Sequence, residues 1–273
     1  MRPTTLMAHD DRQRGFLMTE LLVALLVTSV LVAGVVGAFS AQLHAYAREE
    51  AFAAREDNLR MAMITVTRAL RTAGYGVPRK NLATWIPWVS GFSSNPKLDA
   101  SGSRLSVAGC FEGTLETLSA NALITATTLS VTSAAGLDTN RKRLIQLGET
   151  PLWVTGAANV LGQTTITIDA NPSTTGPQGL PRAYPAGTPL CRVDVRTFSI
   201  GTESATGMPR LLRDQNHGTG AQPIAEGIKG FQVTSLGGNQ FEITITARTE
   251  RRLPGSGNYA ERALRSKVRY RNG

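Results

Sequence analysis

From Phe16 to Phe39 apolar residues follow one another almost without interruption. A helix over these 24 residues rises about 1.5 Å per residue, enough to cross the hydrocarbon core of a bilayer. The stretch holds no proline, and its single charge is Glu20, near its start. A carboxylate facing lipid at mid-depth costs up to roughly 2.5–3.5 kcal/mol, so Glu20 needs a partner. Beyond Phe39 the apolar positions thin out but keep three- and four-residue spacing: Phe39, Leu43 and Tyr46, then Leu59, Met63, Val66 and Leu70. Arg48, Glu49, Arg55, Glu56, Asp57 and Arg60 lie largely between them, with Glu56 and Arg60 an i, i+4 pair in the favourable order. The pattern therefore predicts one helix from Phe16 to about Thr72. It stops at Gly74-Tyr75-Gly76-Val77-Pro78, with Arg68 and Arg71 near the negative end of its dipole.

Downstream the period changes from helical to alternating. Strands are expected at Arg104 to Cys110, Thr127 to Thr132, Arg143 to Leu147, Leu152 to Thr155, Thr164 to Asp169, Leu190 to Ile200, Pro209 to Arg213, Gly230 to Ser235, Phe241 to Arg248 and Leu264 to Arg271. Phe241 to Arg248 alternates strictly, which predicts one buried and one wet face. In Cys191-Arg192-Val193-Asp194-Val195-Arg196 the thiol shares a face with Val193 and Val195 and should point inward. Cys110 falls opposite Leu105 and Val107 unless Gly109 forms a bulge. Thr127 to Asp169 reads as an insertion of short strands, and Asn171 to Gly187, rich in proline and glycine, as a long loop. Trp85, Trp88 and Phe92 cluster in an irregular stretch after the helix, where they cap the core or offer a surface to a sugar or partner; core capping is the preferred reading. The fold class expected is α+β, a long N-terminal helix packed on a mainly antiparallel β head.

Only 18% of residues are charged, while Gly, Thr and Ser are plentiful, which favours strands and turns over a helical bundle. No catalytic or metal constellation is apparent. The three histidines, His9, His44 and His217, are scattered, without the paired spacing zinc requires. Gly218-Thr219-Gly220 does not join a strand to a helix as a phosphate loop does. Asp138-Thr139-Asn140 opens like a calcium loop but continues Arg141-Lys142-Arg143. No enzyme activity, cofactor or metal is expected.

The start of the chain carries a more specific signal. Arg2, Arg12 and Arg14 precede Gly15; then come Phe16, the small Thr19, Glu20 and Leu21-Leu22-Val23-Ala24-Leu25-Leu26. An ordinary secretory signal is cut after its apolar region, whereas here charge and glycine come before it. The constellation resembles the class III signal of type IV prepilins. That resemblance implies cleavage between Gly15 and Phe16 by a prepilin peptidase, N-methylation of Phe16, and Glu20 as the fifth mature residue, pairing with the terminal amine of a neighbouring subunit during assembly. It also implies the layout 1–15 leader, 16–39 transmembrane and filament-core helix, 40–73 amphipathic continuation and 74–273 β-rich head. Many major pilins have a proline at the place of Gly37, and this chain departs from them there. Ala33/Gly37 and Gly34/Ala38 are small pairs that allow close helix approach in lipid. Further along, Ala73-Gly74-Tyr75-Gly76, Arg210-Leu211-Leu212-Arg213, Ile224 to Val233 and Val268-Arg269-Tyr270-Arg271-Asn272 look like PilW-type minor pilins, whose layout the J-type pseudopilins of type II secretion share.

In an exported head, Cys110 and Cys191, the only two cysteines, are read as one disulfide. Flanking charge places the N-terminus in the cytoplasm, so the head is periplasmic before it reaches a pilus or the cell surface. The net charge is +9, and most of it lies near the C-terminus. If Leu264 to Arg271 is a strand, Arg265, Lys267, Arg269 and Arg271 share one face. They form either a solvated edge that discourages strand addition or a contact surface for DNA, anionic headgroups or an acidic neighbour. The function expected is that of a minor pilin assembling or initiating a type IV pilus. Its partners would be other pilins, the prepilin peptidase and an inner-membrane platform, with nucleic acid the less favoured one. The alternatives are a J-like pseudopilin of type II secretion and a filament-borne adhesin or DNA-binding subunit.

Overall fold

The computed structural model describes residues 18–112, 116–134, 137, 144–156, 164–253 and 256–270. The leader with Gly15 and Phe16, the run Asp138 to Arg143, and Arg271 lie outside the described residues. The chain forms two compact units, Met1–Glu50 and Ala51–Gly273, and one helix, α1 (Met18–Thr72), contributes to both.

In the first unit α1 is uninterrupted, and every described residue is exposed. Hydroxyls within the apolar stretch turn back on the helix: Thr28 Oγ1 donates to the carbonyl of Ala24 (2.7 Å) and Ser29 Oγ to that of Leu26 (2.8 Å). Such bonds satisfy polar atoms where water is scarce.

The second unit is α+β. The last part of α1 buries Leu59, Ala62, Met63, Val66, Ala69 and Leu70, the three- and four-residue stripe of the sequence. Two antiparallel sheets pack on it. One has the order β1 (Lys97–Leu98), β2 (Leu105–Gly109), β9 (Asp194–Thr202), β10 (Pro209–Asp214), β11 (Gln222–Glu226). The other is a meander of β12 (Ile228–Gly237), β13 (Gln240–Arg248) and β14 (Glu261–Arg269). Leu105, Val107, Phe198, Leu211, Phe231, Ile243 and Ile245 meet the helix from these strands. A backbone bond from Val233 N to Gly102 O (2.8 Å) ties β12 to the turn between β1 and β2.

The stretch read as an insertion forms a third sheet, with order β3 (Glu116–Thr117), β8 (Pro189–Arg192), β5 (Leu144–Leu147), β6 (Thr150–Gly156), β7 (Thr165–Asp169), β4 (Thr128–Ser130). It has a core of its own, around Leu129, Val131, Ile145, Leu152, Ile166 and Ile168. Leu180 and Tyr184, from the long proline-rich loop, complete that core.

A third cluster lies between the sheets and holds Trp85, Phe92, Ala108, Cys110, Cys191, Val193 and Val195. Trp85 belongs to a one-turn helix, α2 (Leu82–Trp85), and Trp88 packs against the cluster from outside. The aromatics therefore cap a core, as the preferred reading had it.

Besides the short elements α2, β1 and β3, which the pattern did not announce, three features differ from the pattern reading. The run from Leu190 to Ile200 is two strands, because after Val193, whose N–H still bonds Leu144 of β5 (2.8 Å), the chain leaves the third sheet and pairs with β2 and β10. Strand β11 was not read because Pro223 interrupts it; at the edge of its sheet the missing N–H costs no ladder bond. And β2 is buried on both faces, so Cys110 points inward with Ala108 while Leu105 and Val107 face the helix, with no bulge at Gly109.

Candidate functional site

The prospective anchor is the first unit's share of α1. It is long and apolar enough to cross a membrane. From Met18 to Leu43 its one ionisable side chain is Glu20, in the first turn described. Gly34 and Gly37 interrupt nothing: the helix passes through both, and the space a Cβ would take at either is open. This face of small residues could admit another helix closely.

The end of α1 is fixed by backbone chemistry. Gly74 and Gly76 adopt left-handed conformations (φ 82° and 80°), which only glycine accepts at little cost. Freed from the helix, Gly74 N donates to Ala108 O (2.8 Å), and Tyr75 O accepts from Cys110 N (3.1 Å). The motif Ala73-Gly74-Tyr75-Gly76 thus docks the helix terminus onto β2.

At the same place Cys110 and Cys191 form a disulfide, with Cα atoms 6.0 Å apart and 81 residues apart in sequence. It ties the helix-bearing sheet, through β2, to the third sheet, through β8. Gln146 on β5 sits opposite Cys191 in register and presents Oε1 to both sulfurs. The bond is buried, so its role here is a covalent strut between two sheets.

The basic strand is in place on β14. Arg265, Lys267 and Arg269 are exposed, whereas Val268 and Tyr270 are buried on the opposite face. β14 is an edge strand of its sheet. Glu242 lies opposite Lys267 in the ladder and is the acidic neighbour on that face. Elsewhere on the strand Glu261 pairs with Lys229, and Arg262 reaches Glu56 on α1 (2.8 Å).

A buried polar network was not read from the sequence. Arg192 forks onto Asp194 through Nε (2.8 Å) and Nη2 (3.1 Å) and reaches Glu112 (2.7 Å). His217 Nε2 bonds Asp194 Oδ1 (3.0 Å). Burial alone would raise the Asp194 carboxyl, but His217 and Arg192 outweigh it and hold it below the usual carboxylate range. Both Asp194 oxygens are committed, so the group ties the β8–β9 junction to the loop after β10. The arginine and aspartate were visible as polar positions in an alternating run; the histidine comes from a glycine-rich loop with no period to announce it.

Among the described residues no group of three or more His, Cys, Asp or Glu side chains is arranged to hold a metal ion. No family model, no curated protein and no solved structure matches this chain.

Proposed function

We propose that the chain is a minor pilin, a structural subunit that joins a type IV pilus from the inner membrane. One observation carries this reading: a single helix is apolar and fully exposed over its first part, with Glu20 as its one ionisable group up to Leu43, and is buried in a β head over its last part. An exposed apolar helix needs lipid or other helices around it. The prepilin-like residues Gly15, Phe16, Thr19 and Glu20 add the processing signal and the charge that sets register. In this account the prepilin peptidase cuts after Gly15 and methylates Phe16. Glu20 then pairs with the amine of an adjacent pilin as the assembly platform extrudes the filament, and the head stands in the periplasm and later at the cell surface. A J-like pseudopilin of type II secretion would use the same parts.

The test is the variant Glu20→Leu. It removes the one charge from the apolar stretch without harming insertion, so the protein stays in the inner membrane but is lost from sheared filaments. Filament levels equal to wild type would refute the role given to Glu20.

A second reading, a filament-borne adhesin or DNA-binding subunit, is favoured by the exposed row Arg265, Lys267 and Arg269. It requires DNA binding that weakens steeply with salt.

A further inference from the structure

On the helix-facing side of the five-stranded sheet, Arg196 of β9 and Arg213 of β10 are diagonal neighbours. Arg213 lies opposite Phe198, two residues from Arg196 on the same face. In antiparallel strands this places their side chains within reach of one another. The plane of Arg196 is fixed by Phe111, whose ring centroid is 4.3 Å from its Cζ. Arg68, on α1, adds a third positive charge felt at Arg196. The nearby carboxylates are already spent: Asp194 is held by Arg192 and His217, and Glu112 by Arg192. The Nε atoms of Arg196 and Arg213 are buried and meet no acceptor among the described residues. Burial and the field of Arg213 make it costly for Arg196 to stay charged. The fields of Asp194 and Glu112 offset this only in part, and among the described residues no carboxylate bonds either guanidinium; such a pair is expensive as structure and well suited as a receptor.

We propose that Arg196 and Arg213, flanked by Arg68, form a binding site for a phosphoryl group. Charge selects the ligand. Against three guanidinium groups a phosphate dianion leaves one positive charge uncompensated, whereas one carboxylate would leave two. The planar forks of arginine also suit tetrahedral oxygens, and the stacked ring keeps one fork preset. The site is independent of the filament reading: it is built from β9, β10 and Phe111, the residue after Cys110.

The test is equilibrium dialysis of the full chain in neutral-detergent micelles with radiolabelled inorganic phosphate, at constant ionic strength. The wild type should bind one equivalent saturably. Arg213→Gln should weaken binding by about 10-fold or more, the loss expected for a charge-assisted contact, and Arg213→Lys should restore part of it. Without phosphate, Arg213→Gln should melt no lower than wild type, because a like charge has been removed. Glycerol 3-phosphate run in parallel assigns the source: tighter binding of the ester points to a phosphoester ligand, and equal binding to the free ion. Absence of saturable binding, unchanged binding in Arg213→Gln, or equal competition by acetate would overturn the proposal.

Discussion

Gly109 of β2 lies against the last turn of α1: a Cβ there would stand 2.8 Å from the carbonyl oxygen of Thr72. The obstacle is backbone, held on one side by the helix and on the other by the bonds from Gly74 and Cys110. Helix and sheet therefore meet closely where the chain leaves one for the other, and the disulfide begins one residue later.

Gly109→Ala should consequently force α1 and β2 apart. Overpacking of this kind costs about 1–3 kcal/mol. Thermal melts of the full chain in micelles should show a lowered midpoint with the same far-ultraviolet dichroism. An unchanged midpoint would mean that the helix terminus gives way freely.

Removing the strut acts mainly on the unfolded chain. Closing a loop of this length restricts it by roughly 4–5 kcal/mol in the entropic description. Cys191→Ser should lower the urea midpoint accordingly, and Cys110→Ser should match it. Wild-type protein kept from reductant should take up no thiol reagent after denaturation, and two labelled cysteines would contradict the bond.

Acid should loosen the β8–β9 junction. The Asp194 carboxyl is held below its unfolded value, so its contribution is complete above about pH 3.9 and is lost as the pH falls through the lower folded value. Asp194→Asn should flatten that part of the stability profile. Near neutral pH it should cost about 3 kcal/mol, because the buried Arg192 loses the charge that its fork onto Asp194 now meets. Parallel profiles for the two proteins would show that another carboxylate controls the acid limb.

Much of this architecture was legible in the alternation of residues, and the exceptions have physical causes. The helix stripe from Leu59 to Leu70 and the strict alternation of Phe241 to Arg248 each report a single buried face, so their period gives both element and orientation. β2 is buried on both faces, and alternation cannot tell inward from outward there; Cys110 was ambiguous for that reason. Val193 looks like the middle of one long strand because its role, joining two sheets, depends on Leu144 some fifty residues earlier. The basic row of β14 could be read from spacing alone, whereas the approach of Arg196 to Arg213 depends on the pairing of β9 with β10, and its approach to Phe111 on that of β9 with β2.

The central claim is that this chain is processed and assembled as a prepilin. The most direct measurement is the intact mass and N-terminal sequence of the mature protein recovered from membranes. The account predicts a chain that begins at Phe16 and carries one methyl group on its amine. A chain that retains Met1, or one cut beyond Phe39, would contradict it.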